Sequence, residues 1–497
     1  MEEIGLNFNP IFIIFTSLVS LILLFSINRI LFKSSPKRKL PPSPPKLPII
    51  GNLHQLASSL PHHALHSMAQ QHGPIMLLHF GSVPTVIVSS ADIVREIIRS
   101  HDLNFSNRPE LKAMRKLLYG SRDVGSAPHG EYWRQMRSIF VLQMLSSKRV
   151  QSFGSIREEE TALMVKRIEE SSGPVDLSKM MAETNADAAF RSTFGGKYSE
   201  TENGKKFPGL MREFMDLIGT ADIGDFVPWL GWIGRVNGFD KRLDETAKRM
   251  DEVLESVIQE RQAQVKAVKE DFVDVLVEIY KDRSVDSSID RDSIKALLLD
   301  VFVGGTDTIS SSTEWVMSEL LRHPRVMEKL QSEVRGIVKQ NQHIKQDDLE
   351  KMGYMKAVIK ETLRLHPPFT LVSRMTNKDV QIKGYDVAAG TLMMINVWAL
   401  GRDHVSWVEP EKFRPERFLN SLIDFKGQDF ELIPFGAGRR GCPGITYATV
   451  TMEIMLANLV HKFDWKLPNG IDLDMTESHG VTAHRASPLL ALASQPK

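Results

Sequence analysis

The chain has 497 residues, 42% hydrophobic and 25% charged, and its 62 Lys and Arg against 61 Asp and Glu leave a formal net charge of +1. That balance excludes a protein held to nucleic acid by a general basic excess. A single cysteine excludes an intramolecular disulfide framework and any zinc or iron–sulfur site built from paired thiolates.

Residues 11–27 are apolar except for Thr16, Ser17, Ser20 and Ser26, and 30–32 extend the run. About 20 such residues cross a bilayer as a helix. Glu2 and Glu3 stand before the run, and Arg29, Lys33, Lys37, Arg38 and Lys39 after it, which is the reverse of a cleavable signal peptide. The basic flank belongs on the cytosolic side, so 1–33 are expected to be a single-pass transmembrane helix with the body in the cytosol, a reducing compartment that suits an unpaired thiol. The prolines of LPPSPPKLPIIGNL, 40–53, exclude helix and predict a stiff spacer. The expected division is anchor 1–33, hinge 34–48 and body 49–497.

From 59 to 100 a helix-like stretch, two β runs (IMLLHF and TVIVSS) and an amphipathic segment follow one another. Helices then dominate. Residues 176–194, 242–280 (with breaks) and 292–324 carry apolar positions at 3.6-residue spacing, and the last of these, if continuous to Pro324, would run roughly 45 Å across the whole domain. Beyond Thr370, the β-prone pieces DVQIKGYDV and TLMMINVWAL precede proline-containing loops and a final helix from about Gly444. No internal repeat or low-complexity tract interrupts the chain. The expected fold is mainly α with a small β region.

The lone cysteine stands in PFGAGRRGCPG, 434–444. As a residue type it is open to three readings: buried small hydrophobe, nucleophile or solitary metal ligand. Gly436, Gly438, Gly441 and Gly444 allow positive φ and close approach to a flat group, and Pro443 removes an amide donor after Cys442. The apolar run that follows places Cys442 near a helix N-terminus, which favours a thiolate. One thiolate with no companion ligands is the ligation of a haem, whose porphyrin supplies the other four. In the long helix, GGTDT sets Gly304 and Gly305 where each costs about 1 kcal/mol relative to alanine. No lysine follows, so a phosphate loop is disfavoured. Glu361 and Arg364 in KETLRLHPP share a helix face at i and i+3.

Phe435, Gly438, Arg440, Cys442 and Gly444 match every fixed position of Phe-x-x-Gly-x-Arg-x-Cys-x-Gly, and the chain resembles the cytochrome P-450 superfamily, most closely the plant microsomal enzymes of specialised metabolism. The resemblance implies a P-450 fold behind an N-terminal transmembrane helix, on the cytosolic face of the endoplasmic reticulum. It implies haem b with Cys442 as axial ligand, Trp133, Arg137, Arg374 and Arg440 at the propionates, and Gly304, Gly305, Asp307 and Thr308 over the opposite haem face, where Thr308 supports bound oxygen and Asp307 brings protons. Glu361, Arg364 and Arg417 would form a structural lock. The pocket would draw on 108–126, Val301, Gly304, Phe369, Thr370, Leu371, Val372, Val481 and Thr482. The partners implied are an NADPH-dependent P-450 reductase, a cytochrome b-type protein as a further electron donor, dioxygen, and a small apolar substrate of the terpenoid, coumarin or phenylpropanoid, or aldoxime class.

The chain departs from the family pattern in three places. Ile309 replaces a usual hydroxyl and removes one potential relay; Thr370 and Ser373 stand where prolines are common, in a stretch one residue shorter before Arg374; and His404 replaces a proline, read as a surface change. A haem-thiolate isomerase or dehydratase is the alternative, disfavoured by Asp307 and Thr308, and a non-catalytic haem carrier is more remote.

Overall fold

The computed structural model describes residues 16–17, 19–20, 38–56, 59–196, 202–263, 271–281, 289–339, 342–468 and 472–496. The expected anchor therefore falls outside the described residues except for Thr16, Ser17, Val19 and Ser20, which are helical. Among the described residues no helix is long and apolar enough to cross a membrane. The proline segment is extended, as its fixed φ values require, but from Lys39 it lies against the body. The Leu77 amide donates to Pro42 O at 2.8 Å, Asp386 N to Lys39 O at 2.8 Å and Asn52 Nδ2 to Pro45 O at 3.2 Å.

Helix α1 (Pro61–His72) begins with proline at its first turn, where the missing amide costs nothing. It leads into strands β1 (Ile75–Phe80) and β2 (Val83–Val88) and then α2 (Ala91–Ser100). Further on come α3 (Glu131–Phe140), α4 (Leu177–Phe194) and α5 (Phe239–Ala263). The expected 242–280 helix divides into α5 and a shorter one, Phe272–Lys281, with 264–270 outside the described residues.

The long central helix spans α6 (Arg291–Phe302), a π-helical turn at Val303–Asp307 and α7 (Thr308–Arg322). Asp290 caps its start by accepting from Ser293 N at 3.0 Å, and Pro324 opens the next helix. From Ile309 to Leu320 every residue is buried. Three hydroxyls on this buried stretch are satisfied by the helix itself: Ser312 donates to Thr308 O at 2.7 Å, Thr313 to Ile309 O at 2.8 Å and Ser318 to Glu314 O at 2.7 Å.

After α8 (Gly353–Leu365), strands β3 (Leu371–Met375) and β4 (Leu392–Asn396) complete one four-stranded sheet in the order β1-β2-β4-β3. The β2/β4 pair is parallel, Thr85 opposite Leu392, and β3/β4 is antiparallel, Arg374 opposite Met393. Helix α9 (Ile445–Lys462) follows the cysteine loop and is largely buried. One apolar cluster joins α7, α8 and α9; a second joins α5 and α6; the sheet has its own core with α2.

Candidate active site

The cysteine loop is a tight glycine-dependent fold. Gly436 and Gly438 have φ of +70° and +66°, and a Cβ on Gly438 would run into the Asp102 carboxylate. The Cys442 amide donates to Phe435 O at 2.8 Å, closing the loop, while the Phe435 ring packs edge-on against Phe425 at 5.4 Å. Gly444, the N-cap of α9, donates its amide to Cys442 Sγ at 3.3 Å.

Cys442 is exposed by surface area, yet desolvation by the surrounding protein raises its thiol pKa against the pull of the Gly444 amide and the Arg137 charge. A side chain that is both accessible and desolvated lines an interior space. The Gly444 amide at the start of α9 and the Arg137 charge both pull toward the thiolate, in the direction expected of a helix N-terminus, and burial opposes them.

The long helix has an opening of its own. Gly304 is exposed, and a Cβ at this position would meet nothing within 4 Å, although the helix is buried on both sides of it. Gly305 faces the start of α9, where a Cβ would lie 3.9 Å from Tyr447 Cε1. The π turn frees backbone carbonyls, and Asn185 of α4 takes two of them, donating to Gly305 O at 3.0 Å and Thr306 O at 2.6 Å. The Thr308 hydroxyl donates to Gly304 O at 2.7 Å.

Asp307 is paired with a residue that sequence reasoning missed. Its Oδ2 lies 3.0 Å from His484 Nε2. Burial alone would raise the Asp307 carboxyl, but the hydrogen bond and charge of His484 hold it below the usual range. His484 is raised in return: burial opposes this, but the hydrogen bond and charge of Asp307 and the charge of Glu314 outweigh it. The loop carrying His484 is strapped to α7, because Ala483 O accepts from both Ser311 Oγ and Trp315 Nε1 at 2.8 Å. The Ala483 amide donates to Pro368 O at 2.9 Å, which brings Val481 and Thr482 to the chain entering Phe369 and Thr370.

Phe369, Thr370, Leu371 and Val372 are all partly exposed, whereas Val301 and Thr482 are buried at 4% and 1% exposure. Val301 packs into the helical core, so of the two α6-side positions expected in the pocket, Gly304 is the open one. Asp300 was also missed. It accepts from Val124 N at 2.7 Å, and burial together with Asp123 raises its carboxyl well above the usual range. Ile309 turns into the apolar cluster with Val316, Tyr447 and Met452 at 1% exposure. A hydroxyl at 309 would face that core, about 100° around the helix from Thr308, which corrects the expectation of a relay there.

A group of guanidiniums borders the cysteine loop. Arg440 stacks on Trp133 at 4.4 Å and donates to Ser106 O at 2.6 Å, Val124 O at 3.2 Å and Ala127 O. Arg137 donates to Gly441 O at 2.8 Å and lies 5.5 Å from the Trp133 ring, while Trp133 Nε1 donates to Val124 O at 3.0 Å. Arg108 donates to Gly125 O at 3.2 Å and to Ser373 O. Burial and the charges of Arg108 and Arg374 press Arg440 down to about 9; burial and Arg374 press Arg108 to about 10. Among the described residues these three arginines donate to backbone carbonyls and form no ion pair, although the Asp123 charge partly supports Arg108 and Arg440. Arg374 differs: it pairs with Asp102 at 2.9 Å and donates to Ala437 O at 2.5 Å, so its charge is already matched.

Behind the site, Arg364 grips Glu361 through Nε and Nη2, both at 2.8 Å, with both side chains fully buried. Arg417 Nε donates to Glu361 Oε1 at 3.0 Å, and the Arg414 amide to the same oxygen at 2.7 Å. Arg364 also donates to Gly401 O and to Pro410 O at 2.6 Å, tying α8 to the 401–417 loop. His404 is exposed.

An exposed thiol on a glycine loop, a helix opened at Gly304, and a group of arginines that form no ion pair fit a flat dicarboxylate macrocycle held through a sulfur ligand. They define the class as haem-thiolate oxygenases. The chain belongs to the cytochrome P450 family: the family model described as Cytochrome P450 matches residues 41–491. Its relatives include Cytochrome P450 71A8 of Mentha piperita, 56% identical over 97% of this chain and 95% of that one. Cytochrome P450 736A117 of Prunus mume is 52% identical over 96% and 94%, and norfluorocurarine oxidase of Strychnos sp. is 45% identical over 95% of each. A zebra fish cytochrome P450 solved with progesterone shares the fold, with a TM-score of 0.77 at 22% identity, covering 88% of this chain and 100% of that one. The protein is thus a plant-type P450 monooxygenase with haem as its cofactor.

Proposed function

We propose that the protein is a membrane-anchored monooxygenase that inserts one oxygen atom into a small apolar plant specialised metabolite, of the terpenoid, coumarin or phenylpropanoid, or aldoxime class. Cys442 would hold the haem iron through its sulfur, and Arg440, Arg137 and Arg108, grouped around Trp133, would hold the propionates. When bound, the haem supplies an iron that activates dioxygen, and thiolate donation favours O–O cleavage. The chain's own groups do the rest. The Gly444 amide on Cys442 Sγ tempers the donor strength of the sulfur. Gly304 leaves room beside the helix, Thr308 presents a hydroxyl there, and Asp307 passes protons received through His484. Electrons come from NADPH through a partner reductase, and 1–33 hold the enzyme at the endoplasmic reticulum with its body cytosolic.

The observation that carries this reading is the exposed Cys442 sulfur on its glycine loop, accepting from the Gly444 amide at 3.3 Å at the start of α9. The name of the norfluorocurarine oxidase supports oxidation of a specialised metabolite as the kind of reaction. Cys442→Ser is expected to keep the fold and lose the strongly red-shifted Soret band of the reduced carbon monoxide complex, since an alcohol does not donate like a thiolate. An unchanged spectrum would refute the ligand assignment. Reconstitution with reductase and NADPH on a plant extract, followed by a search for a mass gaining one oxygen, tests the reaction class. Turnover without NADPH would overturn it.

A further inference from the structure

The start of α1 and the loop following residue 472 bring three ligating side chains together on elements separate from the cysteine loop. His62 Nε2 lies 2.6 Å from Glu477 Oε2, and His63 Nε2 lies 3.4 Å from the same oxygen. The three ligand atoms fall within 4.8 Å of one another. His62 and Glu477 side chains are 6% and 7% exposed, while that of His63 is 41% exposed with its Nε2 turned inward. One histidine suffices to satisfy the near oxygen of Glu477. The second fits less well: His63 Nε2 is a buried atom that adds to the pull on Glu477 from 3.4 Å but closes no well-aligned hydrogen bond, and a water or an ion resolves such a gap.

We propose that His62, His63 and Glu477 form a binding site for a zinc ion, with water as the fourth ligand. Two imidazole nitrogens and one carboxylate oxygen are a donor set for zinc, whereas calcium and magnesium take oxygens. Arms of about 2.0–2.1 Å set the ligand atoms of a tetrahedron about 3.3–3.4 Å apart. The His63 to Glu477 separation of 3.4 Å already meets this, and the His62 separation of 2.6 Å must open by about 0.7 Å, within reach of a side-chain rotation. The neighbouring cation does not forbid the site. Arg402 is held over the Trp398 ring at 3.8 Å by its bond to Leu365 O at 2.7 Å, and Glu411 at 3.3 Å offsets its charge.

Glu477 also forms an isolated antiparallel bridge with Arg485, and the turn between them carries Val481, Thr482 and His484. Zinc would therefore fasten this turn to α1 and restrain one wall of the site. None of the haem-binding residues takes part in the zinc site, which stands or falls apart from the proposed reaction.

The test uses full-length, haem-loaded protein stripped of loose metal by a chelator and then dialysed against zinc chloride. The parent should bind one zinc per chain that His63→Arg and Glu477→Gln each weaken at least tenfold. Hydrogen exchange across 474–485 should slow with zinc in the parent but not in His63→Arg. Because Glu477→Gln also breaks a buried contact, the partly exposed His63→Arg decides if that variant fails to fold. Equal zinc affinity in parent and His63→Arg, or no zinc bound at micromolar concentrations, overturns the site.

Discussion

Asp307 and His484 lie 3.0 Å apart inside the site and form an ion pair while His484 is protonated, and the sign of their interaction fixes its pH window. His484 is raised above its unfolded value near 6.5, so its contribution is fully present below that value and is lost as pH rises through the raised one. Asp307 is lowered below 3.8, so its contribution is present above 3.8 and is lost as pH falls through the lowered one. The charged groups facing the pair are Glu314 and, through Glu314 at 3.8 Å, Arg485. Product formed per NADPH should therefore decline on the alkaline side as His484 loses its proton, and His484→Asn should remove that limb while leaving haem content unchanged. A pH profile identical to the parent's would exclude His484 from proton delivery. Thr308→Ala should bind substrate nearly normally but divert electrons to peroxide, and Asp307→Asn should slow product formation by about 10²-fold, the low end for a positioned proton donor. Equal coupling in parent and Thr308→Ala would remove Thr308 from the relay. Ile309→Ser should give no rescue of Thr308→Ala and should cost about 3 kcal/mol of stability, as other deletions of a buried isoleucine side chain do. Recovery of coupling in the double mutant would contradict the core placement of residue 309.

At the scale of the elements, the pairing of Glu361 with Arg364 was readable from their i, i+3 spacing, because both groups belong to one helix. Of the partners that make it a lock, Arg417 came only with the family resemblance, and Arg414 N, Gly401 O and Pro410 O arrive from a loop 37 to 53 residues later, about which helix periodicity carries no information. Similarly, Gly304 and Gly305 signalled a weak point in the long helix, yet its resolution as a π turn held by Asn185 depends on a side chain from α4. Asp290 and Pro324 mark the ends of that helix by local chemistry and were legible to within a residue or two. Glu361→Gln should leave Arg364 and Arg417 buried without a full counter-charge, at a cost of about 3–5 kcal/mol. The 401–417 loop should then loosen behind the cysteine segment, so that the purified variant holds less than its full complement of haem. Full haem content together with an unchanged melting temperature would contradict the lock.

At the scale of the whole molecule, the sequence located the boundary between the proposed anchor and the body only approximately. The prolines predicted a spacer through 48, but the body already begins near Arg38: Arg38 pairs with Asp379 at 3.0 Å and the Lys39 amide donates to Asp386 at 2.8 Å. Such contacts join positions more than 300 residues apart, which no local pattern discloses. Removing 1–33 should therefore leave haem content and melting temperature unchanged, whereas removing 1–47 should lower both, because it also deletes the acceptors Pro42 O for Leu77 and Pro45 O for Asn52. Membrane retention should respond differently. Trp229, Trp232 and Val236 stand together on a surface turn at 63%, 56% and 76% exposure, and indole rings favour the bilayer interface. The protein lacking 1–33 is expected to float weakly with lipid vesicles, and Trp229→Ser with Trp232→Ser in that background should abolish the residual binding. Flotation of the shortened protein equal to the full chain's would remove the anchor from its assigned role, and residual binding untouched by the tryptophan substitutions would place the second contact elsewhere on the body.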